Sequence, residues 1–151
     1  APEPEADHAF HAVCCALLIQ KLVAHENELR EQQGQFPVEF RIGVNTGRML
    51  AGNMGSRERM EYTVVGDTVN LASRLCGITN GGEIVISRDM YMREDVKQRV
   101  LAGEYQSIRL RGISQPVSTY RVEHLTADYM DIIEAQHAQI LSTQNSETSD
   151  A

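Results

Sequence analysis

The sequence predicts an α+β fold, a mixed sheet with helices packed on it. Three observations support this. Apolar residues recur at helical spacing from about His8 to Gln33, and they alternate with polar ones from Val38 to Val44. The patterns then run in the order helix, strands, helix, strand, strands, with no internal repeat and no second domain. A length of 151 residues is one domain's worth, enough to bury a core without staples.

The elements follow in order. Ala1 to Asp7 is an acidic lead kept extended by Pro2 and Pro4. Phe10, Val13, Cys14, Leu17, Leu18, Leu22 and Leu29 form one stripe of a long amphipathic helix, with Glu26, Glu28, Arg30 and Glu31 outside. Gly34 to Pro37 stops it. Val38, Phe40, Ile42 and Val44 then define a half-buried strand, and Asn45 to Arg48 a turn. Met49 to Gly55 and Met60 to Val65 flank a charged tip, Ser56 to Arg59, as a projecting hairpin. Asp67 is expected to cap a helix from Thr68 to about Ile78. Asn80 to Gly82 end that helix, Glu83 to Ser87 is a short buried strand, and Arg88 to Glu94 a short helix. Tyr105 to Leu110 and Val117 to Val122 pair across Arg111 to Pro116, Thr126 to Leu141 is a last helix, and Ser142 to Ala151 is a frayed polar tail.

Composition narrows the function. With 42% hydrophobic and 23% charged residues, neither disorder nor a fibrous repeat describes the chain. A formal net charge of −7 argues against nonspecific binding to nucleic acid or anionic lipid. No apolar run of membrane-spanning length and no secretion signal are read. Cys14 and Cys15 are adjacent and Cys76 stands alone, so no disulfide framework or zinc spacing emerges. Three free thiols fit a reducing cytosol, as small fillers on buried helix faces. His8 and His11 near Asp7 lack a third ligand, and no metal is expected there.

Asn70 and Arg74, four apart on a helix, share a face near its N-terminal half, where an oxygen-rich anion would be favoured. On the residues alone the solvated surface pair is the preferred reading, and the spacing names no reaction. By the same standard Arg41 is an outward strand residue, Thr63 an ordinary strand residue and Arg111 a turn cation. The glycines at 43, 47, 52 and 55 end in no Gly-Lys-Ser/Thr, so they mark turns and close backbone approach rather than a phosphate loop.

The order of residues around these positions is more specific. Phe40-Arg41-Ile42-Gly43-Val44-Asn45-Thr46-Gly47, then Gly52 and Gly55, then the run from Tyr62 through Gly66-Asp67-Thr68-Val69-Asn70 to Arg74-Leu75, resemble the consecutive motifs of class III nucleotide cyclase catalytic domains. Gly82 to Ser87, Leu110-Arg111-Gly112, Pro116, Val117 and Tyr120 extend the resemblance to about His124. It implies a ferredoxin-like cyclase domain whose C-terminal part is residues 1–125, its N-terminal part lying upstream, followed by a helix and polar tail over 126–151. The implied activity is adenylyl cyclase, converting ATP to cyclic AMP and pyrophosphate, of a bacterial-type subgroup with Thr at the purine position.

By position, Asn70 would orient the ribose, and Arg74 would stabilise charge on the α-phosphoryl group. Arg41 and Arg111 would contact the β- and γ-phosphates, and Thr63, with its neighbour Val64, the purine. The resemblance places two Mg or Mn ions on aspartates upstream of Ala1, so the 151 residues alone are expected to be inactive. It implies a head-to-tail homodimer with shared sites, in which Asn70, Arg74, Thr63 and Arg111 face the partner's metals and Arg41 serves its own chain's. It also implies a cytoplasmic location, with or without a membrane tether elsewhere in the full-length protein. A guanylyl cyclase, or a non-catalytic cyclase-like module that dimerises or binds nucleotide, are the alternatives.

Overall fold

The computed structural model describes residues 5–55, 59–109 and 116–149, with side chains up to residue 143. Eleven elements follow in the described residues: α1 (His8–Gln32), β1 (Ile42–Val44), β2 (Leu50–Gly55), β3 (Met60–Val65), α2 (Asp67–Ile78), β4 (Ile84–Ser87), α3 (Arg88–Tyr91), α4 (Glu94–Lys97), β5 (Val100–Ile108), β6 (Val117–Leu125) and α5 (Ala127–Ser149). Four strands form a mixed sheet in the order β1-β4-β6-β5, parallel between β1 and β4 and antiparallel elsewhere. The hairpin β2–β3 is a separate two-stranded sheet, paired in register from Leu50 with Val65 to Gly55 with Met60. This is the α+β mixed sheet with packed helices that the sequence predicts.

The core lies where α1 and α5 cover the four-stranded sheet. Ala9, Phe10, Val13 and Ala16 of α1 meet Ile84 and Ile86 of β4, Tyr120 and Val122 of β6, Val100 of β5 and Ile133 of α5. All four residues of β4 are buried, as a central strand covered on both faces requires. Phe10 packs edge-on against Tyr129 at 4.9 Å, and the Arg99 guanidinium lies 4.9 Å from the Phe10 ring centre. Lys21 and Glu134 pair at 2.6 Å and tie α1 to α5.

By length and mean hydropathy α1 would suffice to cross a bilayer, a property the sequence reading did not find. Its inner face is nonetheless committed to the core through Ala9, Phe10, Val13 and Ala16. Of the cysteines expected to be buried fillers, Cys15 is instead exposed, and Cys14 and Cys76 are half-buried; all three are free thiols.

Four boundaries differ from expectation, each for a local reason. Val38 to Arg41 is not strand, because side chains of α1 take its backbone groups: Asn27 Nδ2 donates to Val38 O at 2.8 Å and Val38 N to Asn27 Oδ1 at 2.8 Å, while Gln20 Nε2 donates to Phe40 O at 3.0 Å. The single helix expected over Arg88 to Glu94 is two short ones, α3 and α4. The strand pair is longer than expected, since β5 begins at Val100 and β6 runs to Leu125, with register shifts at Leu101/Ala102 and Glu104/Ser107 that break the alternation. The last helix continues through the tail expected to fray, to Ser149. Ser142 Oγ and Thr143 Oγ1 donate back to Gln139 O, at 2.8 and 3.0 Å.

Candidate active site

The helix α2 carries the two residues expected to be central. Its sequence packs it on β1 through a glycine: a Cβ at Gly43 would collide with Cys76 N and lie 2.7 Å from Ala72 O and 2.8 Å from the Leu75 carbonyl carbon. Ala72, Leu75 and Cys76 therefore form the inner face, with Leu75 fully buried and Cys76 Sγ donating to Arg41 O at 3.1 Å. At 3.6 residues per turn, Asn70 and Arg74 lie about 180° around the helix from that face. Both are exposed, as their four-residue spacing and the packing of the opposite side dictate.

The start of α2 corrects one expectation. Asp67 is not the cap; it is the first helical residue, the N-cap is Gly66, and no side chain makes a capping bond there. Gly66 has φ 144° and ψ 171°, a conformation that a residue with a Cβ resists. A glycine in a positive-φ extended conformation, rather than side-chain capping, thus joins β3 to α2. Asp67 still places a carboxylate in the first turn, favourable toward the helix dipole.

The grip on that first turn comes from elsewhere. Asn45, at the end of β1, donates from Nδ2 to Thr68 O at 3.0 Å and accepts at Oδ1 from Ser87 Oγ at 2.6 Å. Thr68 Oγ1 donates to Arg48 O at 2.9 Å. In the sequence Asn45 looked like an ordinary turn residue; its signal, an Asn directly after a strand, is shared by many turns that do nothing more.

Thr63 and Val64 are exposed on β3, paired with Gly52 and Ala51 of β2, and Arg41 is exposed just before β1. Arg111 lies outside the described residues. The structure thus brings Asn70 and Arg74 together on one open face, reached from Thr63 and Val64 along a single stretch of chain. Arg41 enters from the other side of the β1–α2 contact, through its backbone carbonyl. Among the described residues, cavities lie elsewhere. One of about 810 Å³ opens between the start of α1 and the β1–β2 turn, beside His8, Asn45, Thr46 and Met90; another of about 530 Å³ lies beside Arg93, Asp95 and Arg99. Neither is lined by Asn70, Arg74, Thr63 or Arg41. Among the described residues no group of three or more His, Cys, Asp and Glu is placed to hold a metal ion.

The far end of α2 is tied to the sheet by a polar cluster. Glu83 accepts from Arg121 Nη1 at 3.2 Å, Tyr105 OH at 3.1 Å and Asn80 Nδ2 at 3.0 Å, and Gln106 Nε2 donates to Ile78 O at 3.2 Å. Partial burial opposes ionisation of Glu83, but the hydrogen bonds from Arg121, Tyr105 and Asn80 together outweigh it and hold the carboxyl below its ordinary value.

Comparison with known proteins identifies the family of this fold. The sequence model of the adenylate and guanylate cyclase catalytic domain matches residues 2–124. Adenylate cyclase 1 of Rhizobium meliloti (strain 1021) is 40% identical over 78 residues, 52% of this chain and 12% of that protein. The crystal structure of the guanylyl cyclase Cya2 superposes with TM-score 0.75 at 35% identity, covering 85% of this chain and 64% of that one. The adenylyl cyclase CyaB from P. aeruginosa does so with TM-score 0.72 at 35% identity, covering 80% and 61%. The chain thus spans less than two thirds of each of these relatives. With the family model matching residues 2–124 and the fold superposing on solved cyclase structures, the chain belongs to the adenylate and guanylate cyclase catalytic domain family.

Proposed function

We propose that the protein is an adenylyl cyclase, converting ATP to cyclic AMP and pyrophosphate in a cytoplasmic, head-to-tail homodimer. The ribose 3′-oxygen gives its proton to solvent and attacks the α-phosphorus, and the bond from that phosphorus to the β-phosphate bridging oxygen breaks, so that pyrophosphate leaves with the electron pair. Asn70 orients the ribose for this attack, and Arg74 neutralises charge that builds on the α-phosphoryl oxygens. Thr63 and Val64 contact the purine, and Arg41 and Arg111 hold the β- and γ-phosphates. Two Mg or Mn ions are held by residues outside those described.

The observation that carries the proposal is the outward face of α2. Asn70 and Arg74 are four apart, exposed and outside either cavity, on a helix locked to β1 through Gly43. A triphosphate on so open a surface needs a second wall, which a partner subunit supplies. The choice of ATP rests on Thr63, whose hydroxyl can hydrogen-bond adenine. Similarity to the guanylyl cyclase Cya2 favours GTP as the second reading.

Steady-state turnover of ATP and GTP by the full-length protein, with Mg or Mn present, separates the two. We expect kcat/KM for ATP to exceed that for GTP by about tenfold or more, and Arg74→Ala to lower kcat by roughly 10²–10³-fold. Faster turnover of GTP would identify a guanylyl cyclase. A folded dimer that turns over neither would identify a non-catalytic module.

A further inference from the structure

We propose that Asn45 is a positioning residue that sets the placement of Asn70, with Ser87 fixing Asn45 in turn. The proposal rests on the assignment of Asn70 to the ribose.

The first turn of α2 has no side-chain cap of its own, because its N-cap is Gly66. Only backbone bonds close it from within: Val69 N and Asn70 N both donate to Gly66 O at 3.1 Å. Glycine on the approach contributes no side-chain bond to this turn, and Asn70 sits in it. Asn45 ties it to the end of β1 by donating from Nδ2 to Thr68 O, two residues before Asn70, while Thr68 Oγ1 donates to Arg48 O in the β1–β2 turn. A carbonyl can only accept, so the amide has a single productive orientation, with Oδ1 turned to Ser87.

Ser87 is 1% exposed and fully engaged. Its hydroxyl proton goes to Asn45 Oδ1, and its oxygen accepts from Met90 N at 3.2 Å as the N-cap of α3. The buried end of β4 thereby fixes a rotamer at the end of β1, and that rotamer fixes the entry of the next helix. One turn farther on the hold is different: Arg74 lies between Ala72 and Leu75, where the backbone rests directly on Gly43. Asn45 therefore acts on Asn70 far more than on Arg74.

A displacement of about an ångström in a positioned group costs on the order of 10²-fold in rate without a matching loss of binding. The test is a double-mutant cycle on kcat in the full-length protein, with dimer formation and far-ultraviolet circular dichroism checked for every variant. Asn45→Ala is expected to lower kcat about 10–100-fold while KM moves less than about threefold. In an Asn70→Ala background the same change should cost less than about threefold, because the residue it acts through is gone. Ser87→Ala, which leaves Asn45 in place but removes its anchor, goes through the same cycle with an expected loss of about 3–10-fold, so a failure of Asn45→Ala to fold still leaves a readout. Losses that add independently of Asn70 would mean Asn45 and Ser87 only stabilise the fold, and would overturn the proposal, as would an unchanged kcat or an effect confined to KM. Should Asn70→Ala itself keep full kcat, the assignment of Asn70 falls and the proposal with it. A loss at Asn70 with none at Asn45 defeats the proposal alone.

Discussion

Glu83 shows how a single carboxylate at the end of β1's neighbour strand can hold several elements at once. Its oxygens meet Asn80 after α2, Tyr105 on β5 and Arg121 on β6, and against partial burial these bonds together hold its carboxyl below its ordinary value of 4.5. A depressed carboxylate contributes stability that is complete above the unfolded value and is lost as pH falls through the folded one. Glu83→Gln should therefore lower Tm by about 2–4 °C at pH 7, and the gap should close as the pH drops below 4.5. Thermal denaturation of both proteins from pH 7 to pH 3 tests this; a constant gap would mean that Glu83 acts by shape alone. At this scale the sequence was partly legible. The spacing of Asn70 and Arg74 placed them on one face, but which way that face looks depends on Gly43, Ala72 and Cys76 meeting across the chain, which spacing cannot reveal.

Elements were legible where one local signal dominated. The stripe from Phe10 to Leu29 gave α1 to within a residue, and the apolar run Ile84 to Ile86 gave β4 as buried. Elements failed where distant side chains decided: Asn27 and Gln20 of α1 consumed the backbone groups of Val38 and Phe40 that a longer β1 would have paired. The cap of α2 was misplaced because Asp67 is a favourable capping type, whereas the N-cap backbone takes φ 144°, which selects Gly66. The contact between β1 and α2 yields a prediction of its own. At Gly43 a methyl group would meet backbone atoms of Ala72, Leu75 and Cys76, and backbone cannot swing aside as a side chain can. Gly43→Ala should destabilise by about 1–3 kcal/mol or more, read as a fall in Tm of several degrees, because α2 must move off the sheet. An unchanged Tm would show that the contact is loose. Gly52, whose added Cβ would meet nothing within 4 Å, is the control: Gly52→Ala should leave Tm nearly unchanged.

At the scale of the whole molecule, the hairpin exposes Leu50, Met60 and Tyr62 at 71%, 58% and 65%, beside the equally open face of Asn70 and Arg74. Apolar residues so exposed, rimming a polar face, mark an interaction surface. If that surface receives a second copy head to tail, each site takes Asn70 and Arg74 from one chain and Arg41 from the other. The arrangement can be tested with residues of this chain alone. Arg74→Ala and Arg41→Ala should each lower activity at least about tenfold at subsaturating ATP. Mixed in equal amounts under conditions that exchange subunits, half the dimers pair one variant with the other. Each such dimer joins the intact Arg41 of one chain to the intact Arg74 of its partner at one site, and concentrates both defects at the other. Activity should therefore return to about a quarter of the parental value. A site built within a single chain cannot be repaired in this way. Its mixture would stay at the mean of the two variants, and that result would end the case for shared sites.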